Sequence, residues 1–322
     1  MNPIWLIIIF LASFLFLVKS SSALVKSLTG IARLLRFSEY MVAFILMSFA
    51  TSISELFVGI SSAVSNAPSL SLGNIFGANL LNITLVIGIA SLIHKGVELE
   101  SKISRVNFWL IFIISLFPLL LGADGVISRA DGAILLISFF IYIWHVLGEK
   151  EYFTKTVNHR PKGIAAVTGT ARDIIIFFAA VTVLLASSAA LVWTGTKIAA
   201  MATFTIFSFG AVFVALGTTL PEMAFGIRAA LAKHGSMAVG NSLGSIAFNS
   251  AFIIGVVSVI RPITISGLSQ FFFVASAFIV AFLLFNIFVY SRTFISGREG
   301  VFLIAVYAIF IFLEFWFKNG LK

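Results

Sequence analysis

Residues 50–83 read ATSISELFVGISSAVSNAPSLSLGNIFGANLLNI, and residues 217–250 read GTTLPEMAFGIRAALAKHGSMAVGNSLGSIAFNS. The two stretches align without a gap at an offset of 167 residues, and ten of the 34 positions are identical. The matches favour polar residues and glycines, which chance similarity between apolar segments would not align preferentially. The chain therefore contains an internal repeat, and a repeat of this kind shapes the whole fold prediction.

The composition places this repeat in a membrane. Hydrophobic residues make up 60% of the 322 residues and charged residues only 10%, against about 25% charged residues in an ordinary soluble domain. Too few polar side chains exist to cover a water-soluble globule, and the same numbers exclude a disordered chain. A membrane-spanning helix needs roughly 20 residues. Ten apolar runs are predicted to be such helices: 4–18, 40–64, 72–93, 106–122, 132–147, 174–193, 205–227, 238–260, 268–290 and 300–317.

The basic residues predict the orientation of these spans. Connections after odd-numbered spans hold 16 of the 21 Lys and Arg residues, and the opposite side holds five. Because basic loops stay in the cytoplasm, both termini are predicted to be external, in the cell (plasma) membrane. The net charge of +9 is attributed to loops that face anionic membrane lipid, and neither nucleic acid nor an obligatory protein partner is predicted.

The repeat steps over five spans, an odd number, so the second copy must enter the membrane from the opposite side. Inverted repeats of this kind are typical of secondary transporters, which bind substrate near the bilayer midplane at the repeat interface. The predicted fold is an all-α polytopic membrane protein with ten transmembrane helices in two inverted five-helix repeats. The first repeat would cover residues 1–150, a cytoplasmic linker 151–170, and the second repeat 171–322.

Two of the twelve acidic residues lie in the middle of apolar runs, at the same position of the repeat. Glu55 is the only charged residue in 42–94, and Glu222 is the only one in 198–227; the others, including Glu314, are predicted in loops or at span ends. A bare carboxylate at that depth costs several kcal/mol. Since no Lys or Arg is present at similar depth, we expect a proton or a bound cation to neutralise each carboxylate.

Neutral oxygen donors accompany each carboxylate, and the chain has no cysteine. Such hard ligands suit Ca²⁺, Na⁺ or Mg²⁺ and argue against Zn²⁺ or Cu⁺. Two carboxylates that converge at low dielectric repel each other, so an empty site would cross the membrane less readily than a loaded one. This predicts an exchanger instead of a leak. The accompanying residues are Thr51 and Ser52, Thr218 and Thr219, and two stripes spaced at i, i+4, i+8: Asn74, Ala78, Asn82 and Asn241, Ser245, Asn249.

The segments ATSISE at 50–55 and GTTLPE at 217–222, each followed by GN-x-x-G, resemble the two α-repeats of the sodium/calcium exchanger family of the calcium/cation antiporter superfamily. The ten spans, inverted halves and external termini resemble its short prokaryotic members. The resemblance implies a secondary active antiporter, not an enzyme, that exchanges Ca²⁺ for Na⁺ by alternating access. It also implies that spans 1 and 6 slide across the other helices, and that no cofactor is needed.

The same resemblance implies a central cluster of cation sites. Ala78 stands where relatives often have Ser, so one oxygen is lost, and Asn249 stands where some relatives carry Asp. The implied ligands are the backbone carbonyls of Ser48 and Ala215 and the side chains of Thr51, Ser52, Glu55, Asn82, Thr218, Thr219, Glu222, Ser245 and Asn249.

Three alternatives remain open at this point. A proton-coupled calcium exchanger on the same fold usually carries GN-x-x-E, which these segments lack, and this favours Na⁺ as the counter-ion. A passive cation channel would need a continuous pore and no counter-ion. An intramembrane hydrolase could use two carboxylates as acid and base, but it would leave the Asn and hydroxyl oxygens unexplained.

Overall fold

The structure is a computed structural model of the chain, and it describes residues 3–34, 47–93, 96–98, 105–148, 164–265, 267–292 and 294–320. Most of these residues are helical, as the long apolar runs predict. In chain order the helices are α1 (Pro3–Leu34), α2 (Met47–Thr51), α3 (Ile53–Val64), α4 (Pro68–Leu81), α5 (Ile87–Ile93), α6 (Arg105–Leu121), α7 (Arg129–Gly148), α8 (Ile164–Met201), α9 (Ile206–Phe209), α10 (Ala215–Thr218), α11 (Leu220–Leu231), α12 (Gly235–Ala247), α13 (Ile254–Ile260), α14 (Leu268–Arg292) and α15 (Gly297–Gly320).

Three π-helical segments each connect two successive helices, so that each pair forms one continuous helical stretch. They are Asn82–Val86 between α4 and α5, Gly210–Val214 between α9 and α10, and Phe248–Ile253 between α12 and α13. Segments of this kind occur often at functional sites. The first and the third begin at or next to Asn82 and Asn249, two of the predicted ligands.

The chain is a multi-pass membrane protein. Among the described residues, seven helices are long and apolar enough to cross a membrane, or up to eight if the pair Ile206–Thr218 and Leu220–Leu231, bent by 44°, forms one span. Helices Ile53–Val64 and Phe108–Leu121 are apolar but shorter. The predicted second span begins at residue 40, and its first residues lie outside the described part, so the number of ten spans stays a prediction. Likewise, residues 151–163 of the predicted linker 151–170 lie outside the described part, and α8 begins at Ile164 within the predicted linker.

The helices recur at the repeat offset of 167 residues. Helix α3 corresponds residue for residue to α11, and α5 corresponds in the same way to α13. The π-helical segment after α4 has its counterpart after α12. The sequence repeat is therefore also a repeat of secondary structure.

Two short antiparallel ladders tie connecting segments together. Strand β1 (Gly96–Glu98) pairs with β4 (Phe294–Ser296), and β2 (Val126–Ile127) pairs with β3 (Ile263–Thr264). At the offset of 167, β1 corresponds to β3 and β2 to β4. Each ladder thus joins one connection of the first half to a non-equivalent connection of the second half.

The two most buried spans form the centre of the molecule. Within an 18-residue apolar window of Pro68–Ile93 and of Gly235–Ile260, 83% and 78% of the residues are buried, whereas the windows of the other long spans have 28–39% buried. Glycines allow the close packing, as the small-xxx-small spacing predicts. A Cβ added at Gly73 would overlap the carbonyl oxygen of Phe207, and one added at Gly77 would overlap that of Ala211. Helix α4 therefore lies backbone to backbone against the segment that leads to Glu222.

Candidate cation site

Both carboxylates lie in the first turn of a helix that follows a break. Ser52 separates α2 from α3 with φ −80° and ψ 9°, and Thr219 separates α10 from α11 with φ −79° and ψ −1°. In the second half Pro221 favours the break, because proline lacks the N–H that would continue the helix. Its counterpart Ser54 instead uses its hydroxyl, which donates to the carbonyl of Thr51 at 3.2 Å. In each half the carboxylate therefore lies three residues after a break, close in sequence to hydroxyl side chains.

Glu55 and Glu222 are fully buried, and each lies beside a contact between the two halves. Glu55 Oε2 accepts a hydrogen bond from Ser54 Oγ at 2.9 Å, and Ser54 Oγ also lies 3.2 Å from the carbonyl oxygen of Thr218. Glu222 Oε1 accepts from Ser52 Oγ at 3.3 Å, across the two halves. The second oxygen of each carboxylate has no hydrogen-bond partner in the described part of the chain. Each half thus presents one free carboxylate oxygen.

A cluster of neutral oxygens surrounds Thr51. Its Oγ1 lies 3.3 Å from the carbonyl oxygen of Ser48 and 3.4 Å from Ser245 Oγ. Ser245 Oγ in turn lies 3.5 Å from the same carbonyl. The Thr51 hydroxyl also lies 3.3 Å from Asn241 Oδ1. Residues of both halves therefore form this cluster.

An equivalent cluster surrounds Thr218, with one oxygen fewer. Thr218 Oγ1 donates to Asn74 Oδ1 at 2.9 Å and lies 3.4 Å from the carbonyl oxygen of Ala215. The position equivalent to Ser245 is Ala78, which is fully buried and supplies no oxygen. Asn74 and Asn241, which sequence reasoning grouped with the ligand stripes, thus accept from threonine hydroxyls.

Further polar atoms at the same place have no partner. Of thirteen such buried side-chain atoms in the described residues, nine belong to these clusters and their neighbours. They include both amide atoms of Asn82, the Thr219 hydroxyl and Asn249 Oδ1. An unsatisfied buried polar group costs about 1–3 kcal/mol, and most of these groups belong to the residues that the sequence predicts as cation ligands. In the described ranges, no group of three or more His, Cys, Asp or Glu could hold a metal ion.

The sequence pattern assigned no functional role to three buried polar residues: Asn79, Ser250 and Glu314. Asn79 accepts a hydrogen bond from Asn249, and Ser250 accepts one from Asn79. Their repeat counterparts are Ile246 and Ile83, so a comparison of the two halves does not reveal them. Glu314 was predicted in a loop or at a span end, and it lies near the end of the span Gly297–Trp316; it is 4% exposed and contacts Ser208. Its position in the apolar run 300–317 was the available signal.

Known proteins that resemble this chain match it over nearly its whole length. The family model described as sodium/calcium exchanger protein matches residues 5–148 and 173–316, once in each half. Putative antiporter CaxA of Alkalimonas amylolytica is 27% identical over 95% of this chain and 97% of its own length. Sodium/calcium exchanger MaX1 of Methanosarcina acetivorans is 25% identical, covering 96% and 98%. A solved structure of the sodium-calcium exchanger NCX_Mj, soaked with Na⁺ and Sr²⁺, superimposes with a TM-score of 0.66 at 24% identity, covering 96% of this chain and 99% of that one.

Proposed function

Because the chain belongs to the sodium/calcium exchanger protein family, it is a transporter, and we propose that it exchanges Ca²⁺ for Na⁺ by alternating access. One observation carries the proposal: of the two buried carboxylates, one from each half, each has an oxygen with no hydrogen-bond partner among the described residues. One Ca²⁺ neutralises both charges, and carboxylate, carbonyl and amide oxygens are its usual ligands. The cations are substrates, and no cofactor is part of the proposal.

The proposed ligands surround the two carboxylates. Glu55 and Glu222 supply the charge, the amides lie in the π-helical segments that follow α4 and α12, and the hydroxyls and carbonyls complete the site. Besides the carboxylates, these ligands are the carbonyl oxygens of Ser48 and Ala215 and the side chains of Thr51, Ser52, Asn82, Thr218, Thr219, Ser245 and Asn249.

The neutral clusters favour Na⁺ over H⁺ as the counter-ion. The clusters around Thr51 and Thr218 each combine a backbone carbonyl with hydroxyl and amide oxygens. Such oxygens hold a small cation but do not take up a proton near neutral pH. Protons are the second candidate, because two of them on Glu55 and Glu222 would also cancel the charge.

The proposed topology has ten spans in two inverted repeats, near 1–150 and 171–322, with both termini outside the plasma membrane and the binding site at the bilayer midplane. The ladders support the alternation. Strands β1 and β4 lie in connections 3–4 and 9–10, and β2 and β3 lie in connections 4–5 and 8–9. In a ten-span arrangement each ladder then joins two connections on the same side of the membrane.

The deciding experiment is ⁴⁵Ca²⁺ uptake into proteoliposomes. One set of vesicles carries an outward Na⁺ gradient and a second set an outward H⁺ gradient. We expect uptake only in the first set, and we expect an ionophore that dissipates the Na⁺ gradient to abolish it. Uptake only in the second set would establish the proton-coupled alternative, and uptake without either gradient would indicate a channel.

The missing oxygen at Ala78 predicts that the two neutral clusters bind Na⁺ unequally. We expect Ala78→Ser to lower the Na⁺ concentration for half-maximal exchange by about threefold to tenfold, the scale of one polar contact. Ser245→Ala should raise it by a similar factor, because it removes the equivalent hydroxyl. The measurement is the Na⁺ dependence of ⁴⁵Ca²⁺ exchange.

Ala78→Cys is the matched control, since it adds a side chain of similar size without a hard oxygen, and its Na⁺ dependence should stay near that of the unmodified protein. If Ala78→Ser leaves the Na⁺ dependence unchanged, position 78 does not face a Na⁺ site and the inequality is wrong.

A further inference from the structure

One amide of the site is held in place by a chain of hydrogen bonds. Asn249 Nδ2 donates to Asn79 Oδ1 at 3.3 Å, and Asn79 Nδ2 donates to Ser250 Oγ at 2.7 Å. All three residues are at most 1% exposed. The remaining polar atom of the Asn249 side chain, Oδ1, has no partner in the part of the chain that the structure describes.

The other amide of the site has no such support. Both side-chain atoms of Asn82 lack a partner among the described residues. The reason lies in the sequence: at the repeat offset, Asn79 is replaced by Ile246 and Ser250 by Ile83. The two halves therefore orient their amides differently, although Asn82 and Asn249 are equivalent residues.

Orientation matters because an asparagine amide has two opposite ends. Its oxygen attracts a cation, whereas its NH₂ group carries partly positive hydrogens and repels one. Rotation by 180° exchanges the two ends with little change in shape, so packing alone selects between them weakly. A hydrogen-bond acceptor that captures the NH₂ group removes this freedom, and partners of this type commonly orient ligands in metal sites.

We propose that Asn79 is a positioning residue that captures the NH₂ group of Asn249 and thereby turns the Asn249 oxygen toward the transported cation. The inference rests on the proposed function, since it names a cation at this site. Ser250 completes the chain by accepting from Asn79, which leaves the Asn79 oxygen free to face Asn249. A bound cation favours the same direction, because the reversed chain would present the NH₂ group of Asn249 to it. The chain and the cation thus favour the same orientation of Asn249, whereas Asn82 has no such partner among the described residues.

The test is a double-mutant cycle between positions 79 and 249. Asn79→Leu removes the acceptor with little change in volume. In the unmodified background it should weaken Ca²⁺ binding by about tenfold, within the range for lost ligand-orienting partners. In the Asn249→Asp background it should change Ca²⁺ binding by less than about twofold, because a carboxylate has two equivalent oxygens and no NH₂ group to orient. The readout is the Ca²⁺ affinity of the purified protein, measured by ⁴⁵Ca²⁺ binding.

Ser91→Ala is the matched control. Ser91 is a fully buried hydroxyl on the same span that donates to the carbonyl of Ile87 at 2.8 Å, so this variant loses a buried hydrogen bond without touching the site. Its Ca²⁺ affinity should equal that of the unmodified protein. If Asn79→Leu does not yield monodisperse protein, Ser250→Ala tests the same chain from its other end, with an expected loss of about threefold that disappears in the Asn249→Asp background.

The outcomes separate the two proposals. An equal loss of affinity in both backgrounds would show a purely structural role for Asn79, and unchanged affinity in the unmodified background would also overturn the inference. Either result could occur while the unmodified protein still takes up Ca²⁺ under a Na⁺ gradient, which leaves the proposed function intact. Absence of that uptake would instead refute the proposed function.

Discussion

Na⁺-driven Ca²⁺ uptake should fall by at least about 100-fold when either Glu55 or Glu222 is replaced with Gln. Each carboxylate is fully buried and has one oxygen without a hydrogen-bond partner in the described ranges, so each is expected to pair directly with Ca²⁺. Removing one partner of a buried ion pair costs about 3–5 kcal/mol, and every 1.4 kcal/mol is about a factor of ten in affinity. Gln keeps the shape of the side chain, so the loss reports charge and not packing.

Glu314→Gln is the control for this prediction. Glu314 is also buried in a membrane-spanning helix, with 4% exposure, but its carboxylate faces Ser208 instead of the two oxygen clusters. Its replacement should leave ⁴⁵Ca²⁺ uptake within about twofold of the unmodified protein. Uptake at the normal rate by Glu55→Gln or Glu222→Gln would show that the two carboxylates do not share a transported cation.

A methyl group at Gly77 is expected to damage both stability and ion binding. A Cβ there would overlap the carbonyl oxygen of Ala211 and the Cβ of Ala215, and backbone atoms cannot move aside as a flexible side chain can. Ala215 also supplies one of the proposed carbonyl ligands, so the displacement reaches the cluster around Thr218. We expect Gly77→Ala to cost about 1–3 kcal/mol of stability, as other overpacked cores do, and to reduce Ca²⁺ uptake by more than about tenfold.

The measurements are the thermal unfolding midpoint in detergent and ⁴⁵Ca²⁺ uptake by the same preparation. Gly195→Ala provides the comparison, because its nearest neighbours would be ring atoms of Phe209 and Phe10 at 3.2 and 3.3 Å, which can shift by a few tenths of an ångström. That variant should unfold near the temperature of the unmodified protein. A Gly77→Ala protein with normal stability and uptake would contradict the close approach of α4 to the segment before Glu222.

Residues that occur twice were the ones that sequence reasoning could find. Glu55 and Glu222 stood out because a charge in an apolar run is costly and because both occupy one repeat position. The resemblance to the exchanger family marked Ala78 as the position where an oxygen is lost. Multi-pass membrane character followed from composition, and membership of the exchanger family followed from the two motifs.

Residues that occur once remained hidden. Asn79 and Ser250 have isoleucine counterparts, so nothing in the repeat marks them, and a lone asparagine in an apolar run has many uses. Glu314 lies in an apolar run as Glu55 does, but without a repeat partner it was assigned to a span end. Contacts between the halves, such as that of Thr218 with Asn74, join residues 144 apart in sequence, and local pattern contains no information on such pairs.

The amino-acid sequence alone determined the class of protein, the repeat and the pair of carboxylates. The carboxylates could be recognised because transfer of charge into an apolar environment is costly, so a charged residue in an apolar run stands out in the sequence. Only the tertiary structure decided which oxygens of the two halves meet and that the Asn249 amide donates to Asn79. Those outcomes depend on distances of a few ångströms between helices far apart in the chain, and such distances arise when glycine-lined helices pack against each other.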